Sequence, residues 1–146
     1  MAKSIEQMAG ELADREGIRE LPIKYCDCVW RNDVTGIVDL FTDDAEFITK
    51  GRKREHRAGG RDALLKMYGG LTQGAITPRP YIHNHVIDLR GAGRATGRCY
   101  VELRNLKSNL DWVGTGYYDD EYVKDGDGWR FKSRTFHPVH MNAMPG

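Results

Sequence analysis

Two neighbouring stretches decide the fold: Tyr81-Ile-His-Asn-His-Val-Ile-Asp-Leu-Arg90, then, after Gly91-Ala-Gly93, Arg94-Ala-Thr-Gly-Arg-Cys-Tyr-Val-Glu-Leu-Arg104. Both alternate with period two. His83, His85, Ile87 and Leu89 fall on one face of a strand, with Asn84, Val86 and Asp88 on the other. Ala95, Gly97, Cys99, Val101 and Leu103 alternate in the same way with Thr96, Arg98, Tyr100, Glu102 and Arg104, and the glycines between supply a turn. Downstream, Trp112 to Lys124 reads as a third strand. Asp125-Gly-Asp-Gly128 then marks a hairpin before a fourth strand from Trp129 to His137.

Upstream the period changes. Ile18, Leu21, Tyr25, Cys28 and Val29 follow helical spacing, with Asp14 as the expected cap and Pro22 as a kink or break. Asn32 or Asp33 caps a second helix with Val34, Ile37, Val38 and Phe41 on its apolar face. A short strand, Ala45 to Thr49, precedes a basic loop from Lys50 to Gly60 and a brief helix from Arg61 to Tyr68. Helices first and antiparallel strands afterwards predict an α+β domain with the helices on one face of the sheet.

The 146 residues suit one domain, and their formal net charge of +1 lacks the basic excess of a nucleic-acid binder. No apolar run reaches the roughly 20 residues of a membrane span, and the N-terminus shows no signal-peptide core. Cys26, Cys28 and Cys99 are three in number and lack metal-site spacing, which points to reduced thiols and a cytoplasmic setting.

Several pieces resemble the SnoaL-like proteins of the nuclear transport factor 2-like superfamily. They are Asp14-Arg-Glu-Gly-Ile-Arg-Glu-Leu21 with Tyr25, Leu40-Phe-Thr-Asp-Asp-Ala-Glu46, Asn84-His-Val-Ile-Asp88, Ala95-Thr-Gly-Arg98, Asp120-Glu-Tyr-Val-Lys124 and Asp127-Gly-Trp-Arg-Phe131. The resemblance covers about residues 13–136 of a single domain, 1–146. It implies a cone-shaped, curved antiparallel sheet packed against about three helices and enclosing an apolar cavity, the cystatin-like α+β arrangement. The tail 137–146 would then cover the cavity mouth or touch a neighbouring subunit.

The branch it is most similar to contains scytalone dehydratase, bile acid 7α-dehydratase and the dehydrochlorinase of lindane breakdown. These perform cofactor-free eliminations with an Asp–His pair, an imidazole being suited to take a proton from carbon near neutral pH. Tyr25 stands where the bile acid enzyme has a first-helix tyrosine, and Arg134 matches an arginine of the dehydrochlorinase. The family's Asp falls on Trp30, its His on Pro80 or Tyr81, and a second His near Asn105.

Candidate catalytic residues are therefore Tyr25, His83, Tyr81, Arg134 and Asp120; candidate substrate contacts are Trp30, Phe47, His85, Asn105 and Tyr118. His85 also reads as a core histidine satisfied by a neighbour, and Tyr25 as a core aromatic. Asp27 offers a substitute carboxylate or a solvated acid. Asp120 with Arg134 reads equally as a structural ion pair. No metal and no cofactor is expected, since His83-x-His85 lacks a third ligand at recognisable spacing. The expected function is a lyase or isomerase acting on a small hydrophobic, hydroxylated, aromatic or polycyclic compound. The alternatives are a non-catalytic binding protein of the same fold, or the small subunit of a ring-hydroxylating dioxygenase. Partners would be that small molecule and further copies of the chain, as a dimer or trimer, with neither nucleic acid nor membrane.

Overall fold

The computed structural model describes residues 2–126 and 128–142. Helix α1, Ile5–Trp30, begins at Ser4, where a capping box forms: the Gln7 N–H donates to the Ser4 side chain and the Ser4 N–H to the Gln7 side chain. The helix therefore starts well before the expected cap at Asp14. Asp14 instead accepts from Trp129 Nε1 and Lys124 Nζ, each at 3.1 Å, and ties the helix to the last two strands. Gly17, one turn on, makes that contact sterically possible, because a Cβ there would stand 2.9 Å from Trp129 Cδ1. Pro22 does not split α1. It is fully buried, and its packing offsets the backbone bond it forfeits.

Helix α2, Val34–Val38, is capped by Asp33, which accepts from the Gly36 N–H at 2.9 Å; α3 is Arg61–Gly69. The strands are β1 (Phe41–Lys50), β2 (Glu55–Gly59), β3 (Pro78–Gly91), β4 (Arg94–Asn105), β5 (Asp111–Asp125) and β6 (Gly128–Met141). They form one sheet in the order β2-β1-β6-β5-β4-β3. All neighbours run antiparallel except β1 and β6, which are parallel, so the sheet is mixed rather than wholly antiparallel.

Two further expectations are corrected. Phe41 opens β1 instead of closing the second helix, and the basic loop holds edge strand β2, where Arg57 pairs with Glu46. Residues His137 to Met141 of the expected tail continue β6, pairing with β5 as far as Gly114↔Met141; residues 143–146 lie outside the described residues.

The core lies between the helices and the concave face of the sheet, where Ile18, Leu21, Tyr25 and Val29 of α1 meet Phe41, Phe47, Tyr118, Tyr122, Phe131 and Phe136. On β5 the period-two pattern puts Gly114, Gly116, Tyr118, Asp120 and Tyr122 on this buried side. Bulges in the β3–β4, β4–β5 and β5–β6 ladders bend the sheet. The bulge between Ile82 and His85 has a second effect. It resets the alternation, so that Pro80, Ile82, His85, Ile87 and Leu89 all pair with the inward set Leu103, Val101, Cys99, Gly97 and Ala95. Tyr81 is thereby turned away from the face that His85 occupies.

Candidate functional site

An apolar cavity of about 220 Å³ lies between α1, α3 and the sheet, walled by Tyr25, Val29, Phe47, Tyr68 and Tyr118 among others. It shares the lining residues Thr49, Leu71, Pro78, Leu103 and Phe136 with an outer chamber of about 550 Å³, whose lining also includes His56, Ile76 and Met141. The inner cavity is lined mainly by apolar side chains.

At its inner wall the Tyr25 and Tyr68 hydroxyls stand 3.0 Å apart, both rings buried, at 5.9 Å and 77°. Burial pushes both phenols above their usual range, so both keep their protons at neutral pH. Two hydroxyls joined by one hydrogen bond use one proton between them, and the other O–H is left to donate. Its natural recipient is an acceptor inside the cavity.

Behind this wall lies Arg134, 1% exposed, with its guanidinium carbon 3.7 Å from the Tyr118 ring centroid, 4.3 Å from that of Tyr25 and 4.7 Å from that of Phe131. Its Nε lies 3.1 Å from Asp120 Oδ1. Neither atom has a well-aligned hydrogen-bond partner, so charge more than hydrogen-bond geometry joins them. Burial alone would depress the guanidinium; Asp120 and the surrounding phenols outweigh it and keep Arg134 protonated. Complete burial lifts the Asp120 carboxyl to about 6 against the opposing pull of Arg134 and of the Tyr122 hydroxyl, which leaves it ionised at neutral pH.

The network extends across the sheet. The Tyr122 hydroxyl donates to Asp120 Oδ2 at 3.1 Å and lies 2.9 Å from His85 Nε2. Burial, helped by the charges of Arg134 and Arg19, depresses His85 to about 4, so its ring is neutral.

The residues singled out in the sequence therefore separate. Tyr25, Phe47 and Tyr118 line the inner cavity; Asp120, Arg134 and His85 form the buried network behind it. The other five lie elsewhere. Trp30 donates from Nε1 to the Pro80 carbonyl at 2.7 Å and packs at 5.3 Å on Tyr81, which is 44% exposed. His83 is exposed at the bulge and faces a different crevice. Asn105 uses its amide oxygen on the N–H groups of Thr77 and Lys107, and Asp27 pairs with Arg31 at the surface.

Tyr68 and Tyr122 were missed as site residues. The shared face of Tyr122 and Asp120 was legible in the alternation of β5, whereas Tyr68 gave no signal beyond its helical spacing from Leu64. Among the described residues, no group of three or more His, Cys, Asp or Glu is placed to hold a metal ion, and no helix is long and apolar enough to cross a membrane.

A family model described as a SnoaL-like domain matches residues 10–135. The chain belongs to the SnoaL-like family. Solved structures share the fold of this SnoaL-like protein at low identity. An NTF2-like protein with a cystatin-like fold from Novosphingobium aromaticivorans has TM-score 0.80 and 21% identity, over 95% of this chain and 92% of that one. A protein from the same organism, named as a candidate scytalone dehydratase, has TM-score 0.78 and 22% identity over 91% and 89%. LinA has TM-score 0.78 and 19% identity over 93% and 92%. No curated protein matches the sequence. This SnoaL-like chain therefore shares a fold with these structures.

Proposed function

We propose that this SnoaL-like protein is a cofactor-independent lyase, or an isomerase using the same proton transfers, acting on a small hydrophobic, hydroxylated aromatic or polycyclic compound held in the cone. The observation that carries this reading is the Tyr25–Tyr68 hydroxyl pair, 3.0 Å apart in an apolar cavity, with one proton free to donate. In an elimination from a phenolic substrate, that proton passes to the departing hydroxyl, which leaves as water. The substrate's own ring hydroxyl supplies the electron pair through a quinone methide, and the proton it releases restores the tyrosine. Arg134 against the Tyr25 face favours the negative charge that develops on the phenol oxygen during the transfer. This reading assigns no step to His83 or Tyr81, neither of which lines this cavity.

The test is turnover of hydroxylated aromatics and steroids by Tyr25→Phe and Tyr68→Phe. A drop of about 10²- to 10⁴-fold in either is expected; unchanged turnover in both refutes the assignment.

A second reading, a non-catalytic binding protein, is favoured by one observation: among the described residues, the inner cavity is lined by neither a carboxylate nor an imidazole. Thermal stabilisation by a ligand, with no product by mass spectrometry, would select it. Copurification with a Rieske-type protein would instead point to a dioxygenase subunit. The three free thiols suit a cytoplasmic setting, and a homodimer or homotrimer is proposed, to be measured by light scattering.

A further inference from the structure

A third hollow lies apart from the cone. It is a crevice of about 390 Å³ between α1 and the edge strand β3, lined by Arg19, Pro22, Ile23, Ile82, His83 and His85, and it shares no lining residue with the inner cavity or its outer chamber.

The hydrogen bonds behind it settle the state of His85. A phenol has one proton, and Tyr122 directs it to Asp120 Oδ2 at 3.1 Å. Its oxygen must then accept from the group 2.9 Å away, which is His85 Nε2. His85 is thus the Nε2–H tautomer, and its Nδ1 carries the lone pair. Among the described residues Nδ1 has no hydrogen-bond partner. Gly97 permits the arrangement: a Cβ there would stand 2.9 Å from Tyr122 Oη and 2.8 Å from the Val86 carbonyl, displacing the hydroxyl from its bridge.

At the rim of the crevice stands Arg19, whose ion pair among the described residues is with Glu16, 3.8 Å away with both side chains more than half exposed. That contact leaves most of the guanidinium fork open to a ligand. Ile23, Ile82 and Pro22 supply apolar walls, with Ile23 54% exposed. The hollow is therefore lined by a cationic donor, an imidazole of defined tautomer and apolar side chains.

The geometry points to a second ligand site in this crevice, for a small hydroxylated carboxylate whose carboxylate is held by Arg19 and whose hydroxyl donates to His85 Nδ1. Tyr122 and Asp120 are positioning residues, acting through the tautomer they impose. The site is independent of the elimination proposed for the cone.

Salicylate, a carboxylate with an adjacent hydroxyl, is the probe, titrated into the full chain labelled at the histidine rings. In the free protein the ring nitrogen shifts should report Nε2–H for His85, and Tyr122→Phe should mix the tautomers. Salicylate should move the His83 and His85 ring signals and leave His56, at the rim of the cone, in place. Arg19→Gln, a surface change, should weaken binding about tenfold, and benzoate should bind less tightly than salicylate. Tyr25→Phe should leave all of this intact, which separates failure of this site from failure of the lyase reading. The inference is overturned by an Nδ1–H tautomer in the free protein, by shifts confined to His56 or absent from every histidine, by equal affinity of Arg19→Gln, or by equal affinity for benzoate.

Discussion

Tyr122→Phe removes one oxygen from a ring that is 1% exposed and keeps the ring's packing against Phe131, with centroids 5.7 Å apart. The oxygen makes two hydrogen bonds, 2.9 Å to His85 Nε2 and 3.1 Å to the Asp120 carboxylate. A neutral bond contributes about 0.5–1.5 kcal/mol and one to a charged group about 1.5–3 kcal/mol, so the loss should be about 2–4 kcal/mol. For a chain of this size that corresponds to a Tm lower by about 10 °C. The assay is urea unfolding followed by tryptophan fluorescence, with His85→Leu and the double variant completing a cycle. Because both changes break the same bond, the double variant should be less destabilised than the sum of the singles. A single-variant loss below about 1 kcal/mol, or strict additivity, would refute a connected Asp120–Tyr122–His85 network.

Asp120→Asn should cost about 3–5 kcal/mol in the same unfolding assay, because it strands the Arg134 cation in a buried site; a near-neutral effect would mean that the phenol faces alone stabilise it. Gly97→Ala should destabilise by about 1–3 kcal/mol through the clash with Tyr122 and the Val86 carbonyl, and a crystal structure should show the Tyr122–His85 distance lengthened. The pH profile follows from two opposed groups. His85, depressed to about 4, adds stability that is complete above its unfolded range and is lost as pH falls through about 4. Asp120, raised to about 6, adds stability at low pH that is lost as pH rises through about 6. The Tm advantage of the parent over His85→Gln should therefore shrink on acidification; an advantage constant across that range would show that His85 is not buried as a neutral ring.

Much of the architecture is local information and could be read from the chain. Period two along β4 and β5 follows from strand geometry, so the shared face of Tyr118, Asp120 and Tyr122 needed only the positions of the residues. The Asp33 cap and the short helix from Arg61 were legible for the same reason. Where local signals compete, the reading slipped: apolar spacing began only at Ile18, whereas the Ser4–Gln7 capping box started α1 a dozen residues earlier.

The site depended on register. A bulge between Ile82 and His85 inserts into β3 without any mark in composition, and it alone turns Tyr81 outward and His85 inward. The Tyr25–Tyr68 bond joins residues 43 apart and the His85–Tyr122 bond residues 37 apart. Such bonds exist only once helix docking and strand pairing have placed the partners, and no periodicity encodes them. The sequence by itself determined which side chains the concave face would receive along β4 and β5, but not along β3. The tertiary structure decided which of them meet, because hydrogen bonds act over about 3 Å while the pattern along the chain specifies only a face.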